Sequence, residues 1–486
     1  MRARFRRTGL AVVSLLATAA CGSTVAVRSS VSSGDDLGLP QAVASASSDG
    51  LAGAAQGPPA GTTAAGPATT TTPASAAVPG GVPGGASSLS NVPLDPKKPV
   101  LVGVITSGNA GGFAQSVGLS LSFGDQRVQA QLIAKYLNAR GGILGHQIKL
   151  VYYDYDASGG GQGNAQAACA AFTEDNHVFA AIGVAAMDDA FHACAAKHGM
   201  FVLSDADLKA ASFFRRFPTT IEISDLELAR KYRGMVHGLH DMGFFTPGAK
   251  VAIVDSDDPN DVEAVKAGMK PALAALGLPA ADEVAVSSTD ESQYVSAMSA
   301  AVLKFRAEGI THVVFGNAAT WTFAQVADKQ GYYPKMGVDS RQSPGLLMQT
   351  VDSQQELVNV MGVGYQPIQD VDGAHDPGPV SPNQKLCEKL YAEGGQSSSS
   401  RLTQAAGFYL CDELFFLHDA FGGAPDLSRA SFFDGVASLG SRFQSTLTFA
   451  TRFSATQHDG AQGYRPLRYS TACSCFVYAG PVRLFS

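Results

Sequence analysis

The residues best suited to chemistry in this chain are carboxylates set at the ends of short apolar runs. Asp205 and Asp207 follow the run 201–203, and Asp255, Asp257 and Asp258 follow 251–254. A close pair such as Asp205 and Asp207 has two readings. It can divide into acid and base for a hydrolytic reaction, or it can cap the next helix by accepting from first-turn amides that have no partner. Two groups of histidines look superficially like metal ligands: His192 and His198 flank Cys194, and His237 and His240 lie one helical turn apart. A disulfide at Cys194 better explains the first group, and solvated helix surface the second. No His-Glu-x-x-His, Gly-x-Ser-x-Gly or Walker phosphate loop occurs, so the familiar metallohydrolase, serine-hydrolase and nucleotide-hydrolase signatures are missing. The glycine-rich stretch 159–163 fails the dinucleotide spacing and reads as a surface loop. No catalytic residue, metal site or cofactor is expected.

The N-terminus indicates where the chain works. Arg2, Arg4, Arg6 and Arg7 precede the apolar run 9–20, which ends at Cys21. That run is well short of the ~20 residues needed to span a hydrocarbon core, so 1–20 reads as a secretory signal peptide. Arg6 and Arg7 keep twin-arginine export open beside the general route. Ala17, Thr18, Ala19 and Ala20 resemble the lipobox of bacterial, actinobacterial-style lipoproteins, with Thr18 where leucine is usual. The resemblance implies a diacylglyceryl group on Cys21 and anchorage to the outer face of the membrane. Behind it, 21–96 is Ala-, Gly-, Ser-, Thr- and Pro-rich, too poor in large apolar side chains to fold. As a disordered linker it has a reach of about 50 Å.

Composition narrows the partners. A net charge of −7, with no dense Lys/Arg block outside the signal, removes the electrostatic basis for binding nucleic acid. Seven cysteines less Cys21 leave an even number in an exported chain, which reads as three disulfides. Cys169 with Cys194 and Cys387 with Cys411 would each tie neighbouring predicted helices, a closure worth about 3 kcal/mol apiece. Cys473 and Cys475 share one face of a strand, so they either close a tight ring or stay reduced.

The elements that must position these residues alternate between short apolar runs and longer amphipathic ones. Strands are predicted at 100–105, 148–153, 179–182 and 201–203, with helices at 126–138, 165–174 and 189–197. After a linking stretch around 213–223 the pattern restarts: helix 226–242, strand 251–254, helix 262–276, strand 283–286, helix 294–308 and strand 312–315. Helices at 383–391 and 402–421, and short strands near 464–469 and 476–478, complete the chain. Such alternation predicts an α/β fold of two parallel-sheet lobes.

One stretch is more specific. Asn138-Ala-Arg-Gly-Gly-Ile-Leu-Gly145 ends a helix at paired glycines and feeds the strand closing at Asp154. It resembles the opening of type I periplasmic binding proteins, in particular the branched-chain amino acid (Leu/Ile/Val-type) substrate-binding family of ABC transporters. Gly183 after a strand, Phe214 and Arg215 before the crossover, Asp255 closing the first strand of the second lobe, and the helix around 409–421 agree with it. The resemblance covers about 98–486 and implies a Venus-flytrap clamp joined by three crossovers, with 97–225 and 366–428 as lobe 1 and 226–365 and 429–486 as lobe 2.

The resemblance also nominates ligand contacts. Phe123 stands where the family covers its ligand with an aromatic. Ala185, Ala186 and Met187 replace the serines that meet an α-carboxylate, leaving only helix N-terminal amides there. Asp205 and Asp207 stand near the same head group and would repel a carboxylate. Asp339 matches the acid that holds the ligand ammonium, while Trp321, beyond Gly316 and Asn317, replaces the aromatic wall. The ligand-binding expectation is thus Phe123, Ala186, Met187, Asp205, Asp207, Asn317, Trp321 and Asp339. Function follows as an expectation: a monomeric, lipid-anchored, non-enzymatic receptor that closes on a small polar solute and passes it to ABC permease subunits. A sensory receptor of the same fold and a tethered hydrolase using Asp205 and Asp207 are the alternatives.

Overall fold

The computed structural model describes residues 98–106, 124–156, 161–184, 187–205, 209–287, 291–318, 320–351, 353–396 and 401–485. The signal peptide, Cys21, the linker, Phe123, Ala185, Ala186 and Asp207 lie outside them.

Two sheets organise the chain. The first is wholly parallel, ordered β2-β1-β3-β4-β5, from β1 (Val100–Thr106), β2 (Ile148–Asp154), β3 (Ala180–Ile182), β4 (Phe201–Ser204) and β5 (Thr220–Glu222). The second runs β12-β11-β10-β9-β8-β6-β7. Its strands β6 (Val251–Ser256), β7 (Asp282–Val286), β8 (His312–Phe315), β9 (Lys335–Asp339) and β10 (Val360–Gly364) are parallel. An antiparallel edge follows in β11 (Gly463–Ser470) and β12 (Cys475–Tyr478), with the short β13 (Arg483–Leu484) on β11.

Parallel strands are hydrophobic on both faces because helices cover both. In β1, Val100, Val102 and Val104 face one core while Ile105 faces another. In β6, Ala252 and Val254 divide from Val251 and Ile253 in the same way. The helices Gln126–Asn138 and Arg401–Ala420 cover one side of the first sheet, and Asp189–His198 the other. The helix Glu291–Glu308 covers one side of the second sheet and Leu228–Asp241 the other. No helix among the described residues is long and apolar enough to cross a membrane.

The glycine turn behaves as its residues require. Gly142 has φ 64°, and a Cβ there would sit 1.9 Å from the His146 carbonyl oxygen. The Asn138 side chain accepts from Ile148 N at 2.7 Å and donates to Ile148 O at 2.9 Å, which pins the start of β2 to the end of the preceding helix.

Three disulfides close: Cys169–Cys194, Cys387–Cys411 and Cys473–Cys475. The open choice at Cys473 and Cys475 falls on the tight ring. Two expectations need correction. The family pattern places the helix Arg429–Leu439 and the segment after it in lobe 2, but Phe432, Val436, Phe443, Leu447 and Phe453 enter the first sheet's core, with the Phe432 ring 4.1 Å from that of Phe201. Aromatic burial thus carries residues up to Phe453 into the first sheet's core. Of the glycine-rich stretch, Gly161 and Gly163 belong to the helix Gly161–Ala170 instead of a loop.

The chain passes between the sheets three times: after β5, after β10 and before β11. The first and last passages run side by side. Glu222 N donates to His458 O at 2.7 Å and Gly460 N to Glu222 O at 2.9 Å, and Arg230 Nη2 lies 2.6 Å from Asp459 Oδ2.

Candidate functional site

In open parallel sheets, ligands meet the carboxyl ends of strands, where chain direction reverses and helix N-termini begin. Here those ends hold ionisable groups already engaged with one another.

At the second sheet, Asp255 lies near the end of β6 and the helix Pro259–Ala264 supplies Asp261. Tyr232 Oη donates to Asp261 Oδ1 at 2.8 Å and lies 3.3 Å from Asp255 Oδ1. Asn317, just beyond β8, donates its backbone N–H to Asp255 Oδ1 at 2.6 Å and its amide to Asp261 Oδ2 at 3.2 Å. Gly316 is required for this closeness, because a Cβ there would come 2.1 Å from Asp255 Oδ1. Burial pushes Asp261 up to about 6, against the bonds from Tyr232 and Asn317. Burial, then the charge of Asp261, holds Asp255 well above the usual carboxylate range.

Asp339 ends β9, and its carboxylate meets no solvent. Its Oδ1 accepts from Arg341 N at 2.7 Å, and its Oδ2 lies 3.5 Å from Lys231 Nζ with both side chains fully buried. The ammonium facing Asp339 is therefore the chain's own. Asp339, nominated to hold a ligand amine, is met in this structure by Lys231. Burial raises the Asp339 carboxyl in spite of Lys231.

At the first sheet, Asp205 follows β4 and is buried. It does not cap the next helix, whose N-cap residue, Ala210, makes no side-chain bond to the first turn. Asp205 Oδ1 instead accepts from Ser224 N at 2.8 Å and from the Ser224 hydroxyl, tying the end of β4 to the first passage between sheets. Asp412 and Glu413, from the helix Arg401–Ala420, complete a buried acidic group. Asp412 accepts from Thr446 N at 2.6 Å and the Ser445 hydroxyl at 2.5 Å, and Glu413 accepts from Gly183 N at 3.0 Å. Burial pushes Asp412 up to about 7, while burial and then Asp412 hold Asp205 well above its ordinary value. Met187 is in the first lobe's core and presents no open contact.

Between the sheets lies a polar lock. Arg341 Nε is 3.3 Å from Asp225 Oδ2, and Arg341 Nη1 donates to Tyr409 Oη at 3.4 Å. Tyr365 Oη donates to Asp225 Oδ1 at 2.7 Å. The Gln366 amide donates to Ser224 O at 2.9 Å, and Gln369 Nε2 lies 3.1 Å from Tyr409 Oη. Arg341 belongs to the second lobe and Tyr409 to the first, so the network spans the hinge. Lys231, Asp225, Arg341, Tyr365, Tyr409, Asp412 and Glu413 escape sequence reasoning, because no local spacing marks a partner found only through folding.

Asn317 and Trp321 are the nominated residues brought together, on the loop after β8 and the first turn of the helix Thr320–Lys329. Trp321 is half-buried against the second core. Among the described residues its indole Nε1 is shielded from solvent and meets no hydrogen-bond acceptor. Indole N–H groups usually find a partner when buried, so this donor remains to be matched. His192 is buried with Nδ1 3.1 Å from Thr220 Oγ1, and His237 and His240 are on exposed helix surface, so neither pair gathers as metal ligands.

The comparisons agree with this fold. The family model described as periplasmic binding protein matches residues 108–472. No curated protein matches the chain. An ABC transporter substrate-binding protein from Desulfitobacterium hafniense, solved with Leu, is 14% identical at TM-score 0.53, over 79% of this chain and 100% of that one. The branched-chain amino acid transporter substrate-binding protein LivJ from Streptococcus pneumoniae, with isoleucine, is 16% identical at TM-score 0.53, over 79% and 100%. An ABC transporter solute-binding protein from R. palustris, with 4-hydroxybenzoate, is 16% identical at TM-score 0.57, over 79% and 97%. The chain belongs to the periplasmic binding protein family, whose fold binds solutes and generally carries no enzymatic activity.

Proposed function

We propose that this protein is the solute-binding lipoprotein of an ABC importer. It is held outside the cell membrane by acylated Cys21, closes its two lobes on a small polar solute and delivers it to permease subunits without chemical change. The observation that carries this reading is the pairing of two strand-end faces across three passages, with Trp321 Nε1 left as a shielded, unmatched donor on one of them. The lobes are 97–225 with 366–453, and 226–365 with 454–486. Asn317 and Trp321 contact the solute. Phe123, Ala186 and Asp207 remain proposed contacts from the family pattern.

The acids at the strand ends do not favour leucine-like recognition. Asp339 faces Lys231, and Asp205 is buried with its Oδ1 on Ser224, so an ammonium ligand meets no open carboxylate in either. The solute is instead met by neutral donors and aromatic surface, as a polar or aromatic acid or a related amino acid derivative would be.

Trp321 is the only tryptophan, so intrinsic fluorescence reads the site directly. Amino acids, aromatic acids, sugars and polyamines are screened by thermal shift and by indole emission. A ligand at 100-fold its dissociation constant adds about 2.7 kcal/mol of stability. Trp321→Phe should retain the unliganded melting point and weaken the ligand's shift. A ligand that stabilises wild type and Trp321→Phe equally, with no change in indole emission, rejects this placement. Turnover of the ligand rejects the transport reading.

A further inference from the structure

Among the described residues, one cluster of metal-ligating groups stands outside the strand-end faces, at the far edge of the second sheet. One ring nitrogen of His375 and the sulfurs of Cys473 and Cys475 all lie within 4.8 Å of one another. In the structure the two sulfurs are bonded together. We propose that this is a redox-gated site for a thiophilic d10 cation, Zn(II) or Cu(I), closed to metal while Cys473–Cys475 is oxidised and opened when it is reduced.

Four observations support the site. First, the three donors, within 4.8 Å of one another, need shift by only about an ångström to meet a single ion, since Zn–S bonds of about 2.3 Å and Zn–N bonds of about 2.0 Å place neighbouring ligands under 4 Å apart. Second, the imidazole is oriented in advance. Asp372 Oδ1 lies 2.8 Å from His375 Nδ1 and accepts from His375 N at 2.9 Å, the carboxylate support that metal-binding histidines use to fix the ring and free Nε2. Third, the two sulfurs of Cys473 and Cys475 become thiolates on reduction, and such soft donors select soft cations over Mg(II) or Ca(II). Fourth, Ser474, between the cysteines, is held at φ 55°, a left-handed conformation that a non-glycine residue rarely adopts unaided. Opening the ring releases that constraint.

Access differs among the disulfides. Cys473 is exposed, whereas Cys387 and Cys411 are fully buried. A dithiol reductant can attack Cys473 Sγ. Its thiolate forms a mixed disulfide as the Cys475 sulfur leaves, and its second thiol displaces Cys473. The dithiol becomes a disulfide, and two electrons and two protons pass to Cys473 and Cys475. The cation then replaces the two thiol protons and takes neutral His375 as third ligand. His375 lies on the segment returning from β10 to the first lobe, where the next residue, Asp376, pairs with Arg401. Metal therefore ties that segment to β12.

The test uses the purified protein before and after mild phosphine reduction, with the phosphine removed. Differential alkylation should label Cys473 and Cys475 ahead of the other four cysteines. The reduced protein should take up one equivalent of Zn(II) or Cu(I) in competition with a chromogenic chelator, and the oxidised protein none. Co(II) should give a thiolate charge-transfer band. Asp372→Asn should weaken binding about 10–100-fold, the usual cost of losing such support, and His375→Ala at least as much. The proposal is overturned if reduced wild type binds no more metal than Cys473→Ser/Cys475→Ser, or if His375→Ala binds as tightly as wild type. The relative affinities for the two cations decide which one the site prefers.

Discussion

Replacing Asp339 by asparagine separates two roles that sequence reasoning merges. If Asp339 served mainly to hold a ligand amine, the unliganded protein would barely notice the change. The structure implies otherwise, because Lys231 Nζ has Asp339 Oδ2 at 3.5 Å as its ion-pair partner, both at 0% side-chain exposure, and Lys231 makes no hydrogen bond among the described residues. A neutral amide at that position would leave the ammonium buried without its ion-pair partner, with only the more distant Asp255 and Asp261 acting on it. Breaking a buried pair from one side costs about 3–5 kcal/mol. At an unfolding entropy of about 2.1 cal/mol/K per residue, 4 kcal/mol corresponds to a melting-point fall of roughly 5 °C for a folded region of this size. The assay is urea and thermal unfolding of Asp339→Asn, Lys231→Met and the double variant. Each single variant should lose stability, and the double variant should recover most of it, since no charge is then stranded. An Asp339→Asn protein that melts with wild type refutes the internal pair.

Two further expectations concern stability. Burial, then the charge of Asp328, pushes Glu356 up to about 8, and neither carboxylate oxygen finds a partner among the described residues. The folded form keeps this proton between about 4.5 and 8 while the unfolded form has lost it, so rising pH through that window favours unfolding, by an amount on the order of 5 kcal/mol once Glu356 is fully ionised. Glu356→Gln should therefore gain stability over wild type at pH 9 but not at pH 5 in urea melts, and an equal difference at both would contradict the assignment. Cys387→Ala with Cys411→Ala opens a loop closed by cysteines 24 residues apart, worth about 3.5 kcal/mol. A smaller fall in urea midpoint than in a Cys473→Ser/Cys475→Ser control would count against that bridge as a structural staple.

The fold is legible because buried parallel strands leave a strong local mark. Runs such as 251–254, apolar on both faces, can only lie between two helical layers, and the glycines at 141 and 142 announce a turn that no other residue type takes easily. The two longer disulfides are legible from helices that must lie side by side. The ends of the strands are not legible, since Lys231 sits among Arg230, Tyr232 and Arg233 with nothing in its spacing to mark it as the one drawn inside. Its burial is decided by Asp339, more than a hundred residues on. The burial of residues up to Phe453 in the first sheet's core is hidden for the same reason: Phe432 and Phe443 would suit either core, and only packing against Phe201 and Phe416 assigns them.

The strand-end acids consequently act on the hinge. Asp205 holds Ser224 on one passage, and Asp225 on that passage holds Arg341 and Tyr365 of the other lobe. Tyr409 receives Arg341 from the opposite side. A buried ion pair contributes little net stability but fixes one geometry, because any shift strands a charge. Rotation between lobes must therefore turn around this lock and not through it. Under the proposed function the solute is left to groups outside it, the Asn317 side chain and the Trp321 indole, whose Nε1 meets no acceptor among the described residues. Capture then rests on neutral hydrogen bonding and aromatic contact, while the carboxylates keep the two faces aligned.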